Sequence, residues 1–154
     1  DAVKYVDESI EVVVVATGSF DDPIKAKQAT DAMASKGCDV ITQNADACGN
    51  GAVEECDALG LVNVGAVGDQ SAYGESCFLS VIQDAHQGIA AAIDEAINGT
   101  LKPGPVVMGA NANVVYLTGY TGKYANLLTD EEKATLQSVW QQAHDGIDLH
   151  TLTK

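Results

Sequence analysis

Positive charge is what this sequence has least of. Eight Lys and Arg stand against 22 Asp and Glu in 154 residues, giving a formal net charge of −14 and a pI near 4.2. A surface of that sign repels phosphate, which argues against nucleic acid and anionic membranes as partners. Long apolar runs are missing too. No stretch approaches the roughly 20 residues that a spanning helix needs. There is no secretory leader, and the chain opens at Asp1 rather than Met, so the expectation is a processed or trimmed product. No C-x-x-C pair exists among Cys38, Cys48, Cys56 and Cys77, and His86, His144 and His150 are scattered, so no zinc spacing results. In their apolar contexts Cys38 and Cys56 read as small buried hydrophobes, and cysteine usage leaves the redox compartment open. A G-x-S-x-G elbow is absent: Gly18-Ser19 runs on into Phe20-Asp21. With no nucleophile–base pair, the expectation is a protein that is not an enzyme and uses no cofactor or metal.

What is present is an apolar fraction of 46%, enough for one folded domain with a sizeable core. Four consecutive valines, Val12–Val15, open the pattern. β-branched residues in a continuous run suit a strand buried on both faces, so residues 10–16 read as the central strand of a parallel sheet. Asp22 as N-cap and Pro23 in the first turn then start a helix, expected over 23–36 and stopped by Gly37. The alternation continues with a strand over 38–43, a helix over 52–58, a strand over 61–64, a loop over 65–75 and a short strand over 77–80. Ile82, Ala85, Ile89, Ile93 and Ala96 recur at helical spacing and predict a helix over 81–97 with that face buried. Beyond the turn Lys102-Pro-Gly-Pro105, strands are expected over 106–109 and 113–117. Thr129 with Glu132 forms a capping box that opens a last helix, whose Leu136, Val139, Trp140 and Ala143 face inward.

This order implies an α/β three-layer sandwich with a mainly parallel sheet, Rossmann- or flavodoxin-like. Residues 1–105 make the ligand-binding lobe, and 106–154 are less regular. Gly49-x-Gly51 and Gly119-x-x-Gly122-Lys123 could offer backbone N–H groups to an anion, but without the rest of a phosphate-loop pattern both read as turns.

In open α/β sheets, ligands sit beyond the carboxyl ends of the strands. The loop after the first strand carries Ser19 and Phe20, the second Asn44 and Asp46, and the third Asp69, Gln70 and Tyr73. An aromatic face with acids and amides suits a small polar ring, stacked on its face and hydrogen-bonded at its edge.

Three strings, Thr17-Gly-Ser-Phe-Asp-Asp-Pro23, Gly37-Cys-Asp-Val-Ile-Thr-Gln43 and Gly65-Ala-Val-Gly-Asp-Gln70, resemble the basic membrane protein family. Its members are substrate-binding lipoproteins of ABC importers with a type I periplasmic-binding-protein fold. The resemblance implies that this chain is the carboxyl-terminal lobe of such a receptor, with 106–154 crossing back toward an amino-terminal lobe that is absent here. It implies a ligand between lobes, often a purine nucleoside or nucleobase. It places an aromatic cleft residue at Phe20 and the Asp-bearing loop at Asp69-Gln70. Nucleoside-binding members often carry a further aspartate where this chain has Val67, Gly-Gly where it has Asp46-Ala47, and lysine where it has Gln83. The Thr42-Gln-Asn-Ala-Asp46 string is closer to a branch with Thr-Gln-His-x-Asp, which fits a nucleobase or another small polar ligand.

The implied function is the solute-binding component of an ABC importer. Its partners are a purine-like small molecule, the permease and ATPase, and possible further copies of the chain. Its place is extracytoplasmic, as a cell-membrane lipoprotein or in the periplasm. The alternative is a single-lobe flavodoxin-like regulatory domain. That reading needs a phosphoacceptor Asp at a strand end, for which Asp46 or Asp21 can be cast, and a nearby Lys, which is not at a suitable place.

Overall fold

The computed structural model describes residues 2–146, apart from the side chains of Ala2 and Tyr5. His150 lies outside the described residues. Four strands form one sheet in the order β1-β2-β3-β4: β1 (Val40–Thr42), β2 (Val62–Val67), β3 (Cys77–Gln83) and β4 (Val115–Leu117). The pairs β1–β2 and β2–β3 are parallel, and β4 is antiparallel to β3. Among the described residues five α-helices accompany them: α1 (Ala2–Val6), α2 (Pro23–Ala34), α3 (Asn50–Leu59), α4 (Ala85–Ile97) and α5 (Asp130–His144). The fold is α/β with a mostly parallel sheet, as the alternation of elements implied.

Capping explains where the helices begin. The Asp22 carboxylate accepts from Ile24 N at 3.1 Å ahead of Pro23, which needs no donor of its own. Asp84 accepts from His86 N and Gln87 N to start α4. Thr129 and Glu132 form the expected reciprocal box at the head of α5. The core joins α2, the loop after β1, and α3. Ala26, Ile41, Ala45, Cys48, Ala52 and Cys56 are buried together, with Met33, Cys38 and Leu61 packed against them. Glycine permits this closeness: a Cβ at Gly51 would overlap the backbone carbonyl of Pro23, so α3 can meet the start of α2 only with hydrogen there. All four cysteines are free thiols, three of them buried. Burial pushes the Cys56 thiol up to about 11.

Several expectations are corrected. Residues 10–16 form no strand. A strand is defined by its ladder, and β1 and β2 pair directly through Val40↔Val62, so the valine run is not inserted between them. Val14 is 87% exposed. The helix expected over 81–97 begins only at Ala85, because β3 extends to Gln83 and buries Ile82 on the sheet. The α4 face expected to be buried is open: Ala85, Ile89, Ile93 and Ala96 are all exposed. Of the two late strands only 115–117 forms, and 106–109 is irregular. On α5, Leu136, Trp140 and Ala143 are half-buried, whereas Val139 is exposed.

Candidate functional site

Beside the carboxyl end of β1 lies a cavity of about 720 Å³. The chain from Val12 to Phe20 runs along one side of it. Ala26, Ala29, Thr30 and Met33 from α2 form an apolar wall with Ile41 and Ala52. Thr42, Gln43 and Asn44 bring polar groups from the end of β1, and Ala66, Val67 and Gln83 close the far side from the ends of β2 and β3. No Asp, Glu, Lys, Arg or His is among the lining residues. In a chain this acidic, an uncharged cavity is informative. An ionised ligand would have to leave water without a counter-charge, which is costly.

Three of the seven residues singled out in the sequence meet here: Ser19, Phe20 and Asn44. Phe20 is 73% exposed at the rim, and its position is fixed through the backbone, since its carbonyl accepts from Cys48 N at 2.9 Å. The Ser19 hydroxyl accepts from Asp22 N at 3.1 Å and donates to the Asp21 carboxylate at 2.7 Å, so it holds the turn into α2. Asn44, two residues beyond the end of β1, lines the cavity and is exposed.

The other four do not line this cavity. Asp46 is exposed, in the left-handed region at φ 53°, and starts a short 3-10 turn. Asp69 accepts from Ser71 N at 2.9 Å, and that bond holds its carboxyl below the usual carboxylate range. Gln70 is buried and acts as a staple. Its side chain donates to Asn50 Oδ1 and accepts from Ala66 N, each at 3.3 Å, while its backbone N–H donates to the Ser80 hydroxyl at 3.1 Å. Tyr73 is exposed on a second 3-10 turn. Gly122 is held tight against the Glu75 carbonyl, and Lys123 pairs with Asp57 at 3.1 Å. Gly122 is therefore structural.

The sequence reading did not single out Thr42 and Gln43, and it met Val67 and Gln83 only as departures from the family pattern, yet all four line the cavity. Each occupies the last position of a strand or the one after it, where ligands are expected in such folds, so strand boundaries placed correctly point to them. Among the described residues, no group of His, Cys, Asp and Glu is placed to hold a metal ion, and no helix is long and apolar enough to cross a membrane.

Residues 2–147 match the Bmp family, described as ABC transporter substrate-binding protein PnrA-like. The chain belongs to this family. It is similar to a solved ABC transporter solute-binding protein from Aeropyrum pernix K1, with a TM-score of 0.71 and 19% identity over 94% of this chain and 50% of that one. It is also similar to the crystal structure of a transcriptional activator of the comK gene from Bacillus halodurans, at TM-score 0.78 and 23% identity, covering 92% and 49% of the two chains. At those identities the likeness shows the fold. Among curated proteins, the transcriptional activator protein Med of Bacillus subtilis (strain 168) is 29% identical over 113 residues, 73% of this chain and 36% of Med. This Bmp-family chain thus spans about half the length of the similar structures and about a third of Med.

Proposed function

We propose that this chain is the ligand-reading lobe of a solute-binding receptor for an ABC importer, and that it binds rather than transforms its ligand. The ligand is a small uncharged ring of the purine type. The observation that carries this reading is the cavity of about 720 Å³, free of charged side chains, with an aromatic at its rim and amides at the end of β1. Phe20 stacks on the ring. Asn44, Thr42 and Gln43 read its polar edge, and a second lobe closes over it. Family membership supports the small-molecule ligand, the permease and ATPase partners and an extracytoplasmic location, anchored or in the periplasm. Catalysis has no carrier in the cavity, where hydroxyls and amides stand without a base. Division at residue 105 into a lobe and a return segment belongs to the same reading, as does self-association of the chain through its exposed apolar faces.

A second reading, a regulatory domain, is favoured by the names of two relatives, both transcriptional activators. The two readings share the cavity and differ in what closure signals.

The test is a calorimetric panel of hypoxanthine, guanine, adenine and their nucleosides on the wild-type protein and two variants. Phe20→Ala is expected to weaken binding of the best ligand by about tenfold, the worth of about 1.4 kcal/mol of stacking. Asn44→Ala should weaken it similarly by removing an edge partner. If no base or nucleoside binds the wild-type protein, or if both variants bind as it does, the purine reading is wrong.

A further inference from the structure

A second cavity, of about 300 Å³, lies between β4 and α5 and shares no lining residue with the first. One wall is β4 and its continuation through Tyr120. Three bonds pin that continuation to β3. Thr118 N donates to the Ser80 carbonyl at 2.9 Å, Ser80 N donates to the Thr118 hydroxyl at 2.8 Å, and Thr121 N donates to the Phe78 carbonyl at 2.8 Å. The Phe78 and Tyr120 rings, with centroids 5.1 Å apart, brace it further. The other wall is α5. Lys133, Leu136, Gln137 and Trp140 recur at helical spacing and so share one face of that helix. The last three line the cavity, and Lys133 Nζ stands 5.3 Å from the centroid of the Tyr120 ring, which lines it too.

The lining is mainly aromatic and aliphatic, with Tyr116, Tyr120 and Trp140 beside Leu79, Leu117 and Leu136. No acid is part of it. Of the acids at the head of α5, Glu132 is taken up in the capping box. Among the described residues Lys133 makes no ion pair, in a chain with 22 Asp and Glu. A cation beside an apolar cavity supplies the counter-charge that the first cavity lacks, so an anion can enter without being left unpaired. The volume is at the lower end for ligand sites and admits one ring with a short arm.

We propose that this cavity is a second ligand site, which takes a small aromatic carboxylate of the arylacetate kind. The ring lies among Trp140, Tyr116 and the leucines, and the carboxylate pairs with Lys133. The site does not depend on the ring-binding function of the first cavity.

Trp140 is the only tryptophan of the chain, so its fluorescence reports on this cavity and not on the first. Phenylacetate titrated into the wild-type protein should change that emission with a Kd of about 1 mM or below, and calorimetry should return the same value. Phenethyl alcohol, which keeps the ring and lacks the charge, should bind about fivefold more weakly. Lys133→Gln should weaken phenylacetate by about fivefold, the upper range for a partly exposed charge pair, and leave phenethyl alcohol unchanged. Gln137→Glu, at an exposed lining position, should also weaken phenylacetate and spare the alcohol by setting a like charge beside the carboxylate. An unchanged emission together with no calorimetric heat from phenylacetate overturns the site. So does phenylacetate binding that neither substitution weakens. Equal wild-type affinity for phenylacetate and phenethyl alcohol overturns the assignment to carboxylates.

Discussion

Thr30 shows what a single hydroxyl is worth in this structure. It is fully buried on α2 against the cavity, and its Oγ1 has no hydrogen-bond partner among the described residues. A buried polar group without a partner carries a desolvation penalty that an isosteric methyl does not. Thr30→Val is therefore expected to raise stability, by about 1 kcal/mol, in urea denaturation followed by far-UV circular dichroism. A loss of stability would mean that the hydroxyl is paired. Gln70 is the opposite case. Its bonds to Asn50, Ala66 and the Ser80 hydroxyl join α3, β2 and β3. Read from sequence, Gln70 looked like a ligand-edge amide, because an amide in a strand-end loop has the same letter whether it faces a ligand or a neighbouring strand. Burial separates the two roles, and burial of a polar residue has no periodic signature. Phe20 and Asn44 do line the cavity, but Phe20 does so from an irregular segment and not, as expected, from the end of a strand.

Elements were legible where their limits carry chemistry. Asp22-Pro23 and the Thr129–Glu132 box placed the heads of α2 and α5 to the residue. The valine run was not legible, since β-branched composition states a preference for a ladder without supplying the partner. The start of α4 was misjudged for a related reason. Val81 and Ile82 fit the helical stripe and the strand equally well, and pairing of Val81 with Leu117 and of Ile82 with Tyr116 decides for β3. Once α4 starts at Ala85, its Ile89, Ile93 and Ile97 are left exposed among the described residues. An apolar helical face in water favours association. At micromolar concentration the protein is expected to exceed monomer mass by light scattering, and Ile93→Asp should shift it toward monomer. A wild-type monomer, or an Ile93→Asp protein of unchanged mass, would exclude α4 as the contact.

At the scale of the molecule, the accessible surface is 9952 Å², against about 7,300 Å² for a compact monomer of this mass. Apolar residues of the valine run, of α4 and of the segment with Val106 and Val107 are exposed. The chain spans about half the length of the similar solved structures, and apolar faces left open in this way suit contact with further protein surface. The cavity agrees with that picture. It is walled on the α2 and β1 side and rimmed by an exposed Phe20. Overall charge, by contrast, says little about the ligand. The −14 lies outside a cavity that holds no ionisable side chain, so an acidic protein here offers a neutral site.

The most direct test of that site is a ¹H–¹⁵N chemical-shift map recorded while hypoxanthine is titrated into the wild-type protein. Shifts concentrated on Val12–Phe20, Thr42–Asn44 and the Asn44 side-chain amide, with Asp69 and Tyr73 unmoved, are the expected result. Shifts centred on Asp69 and Tyr73 with the valine run unmoved would place the ligand elsewhere and contradict the account.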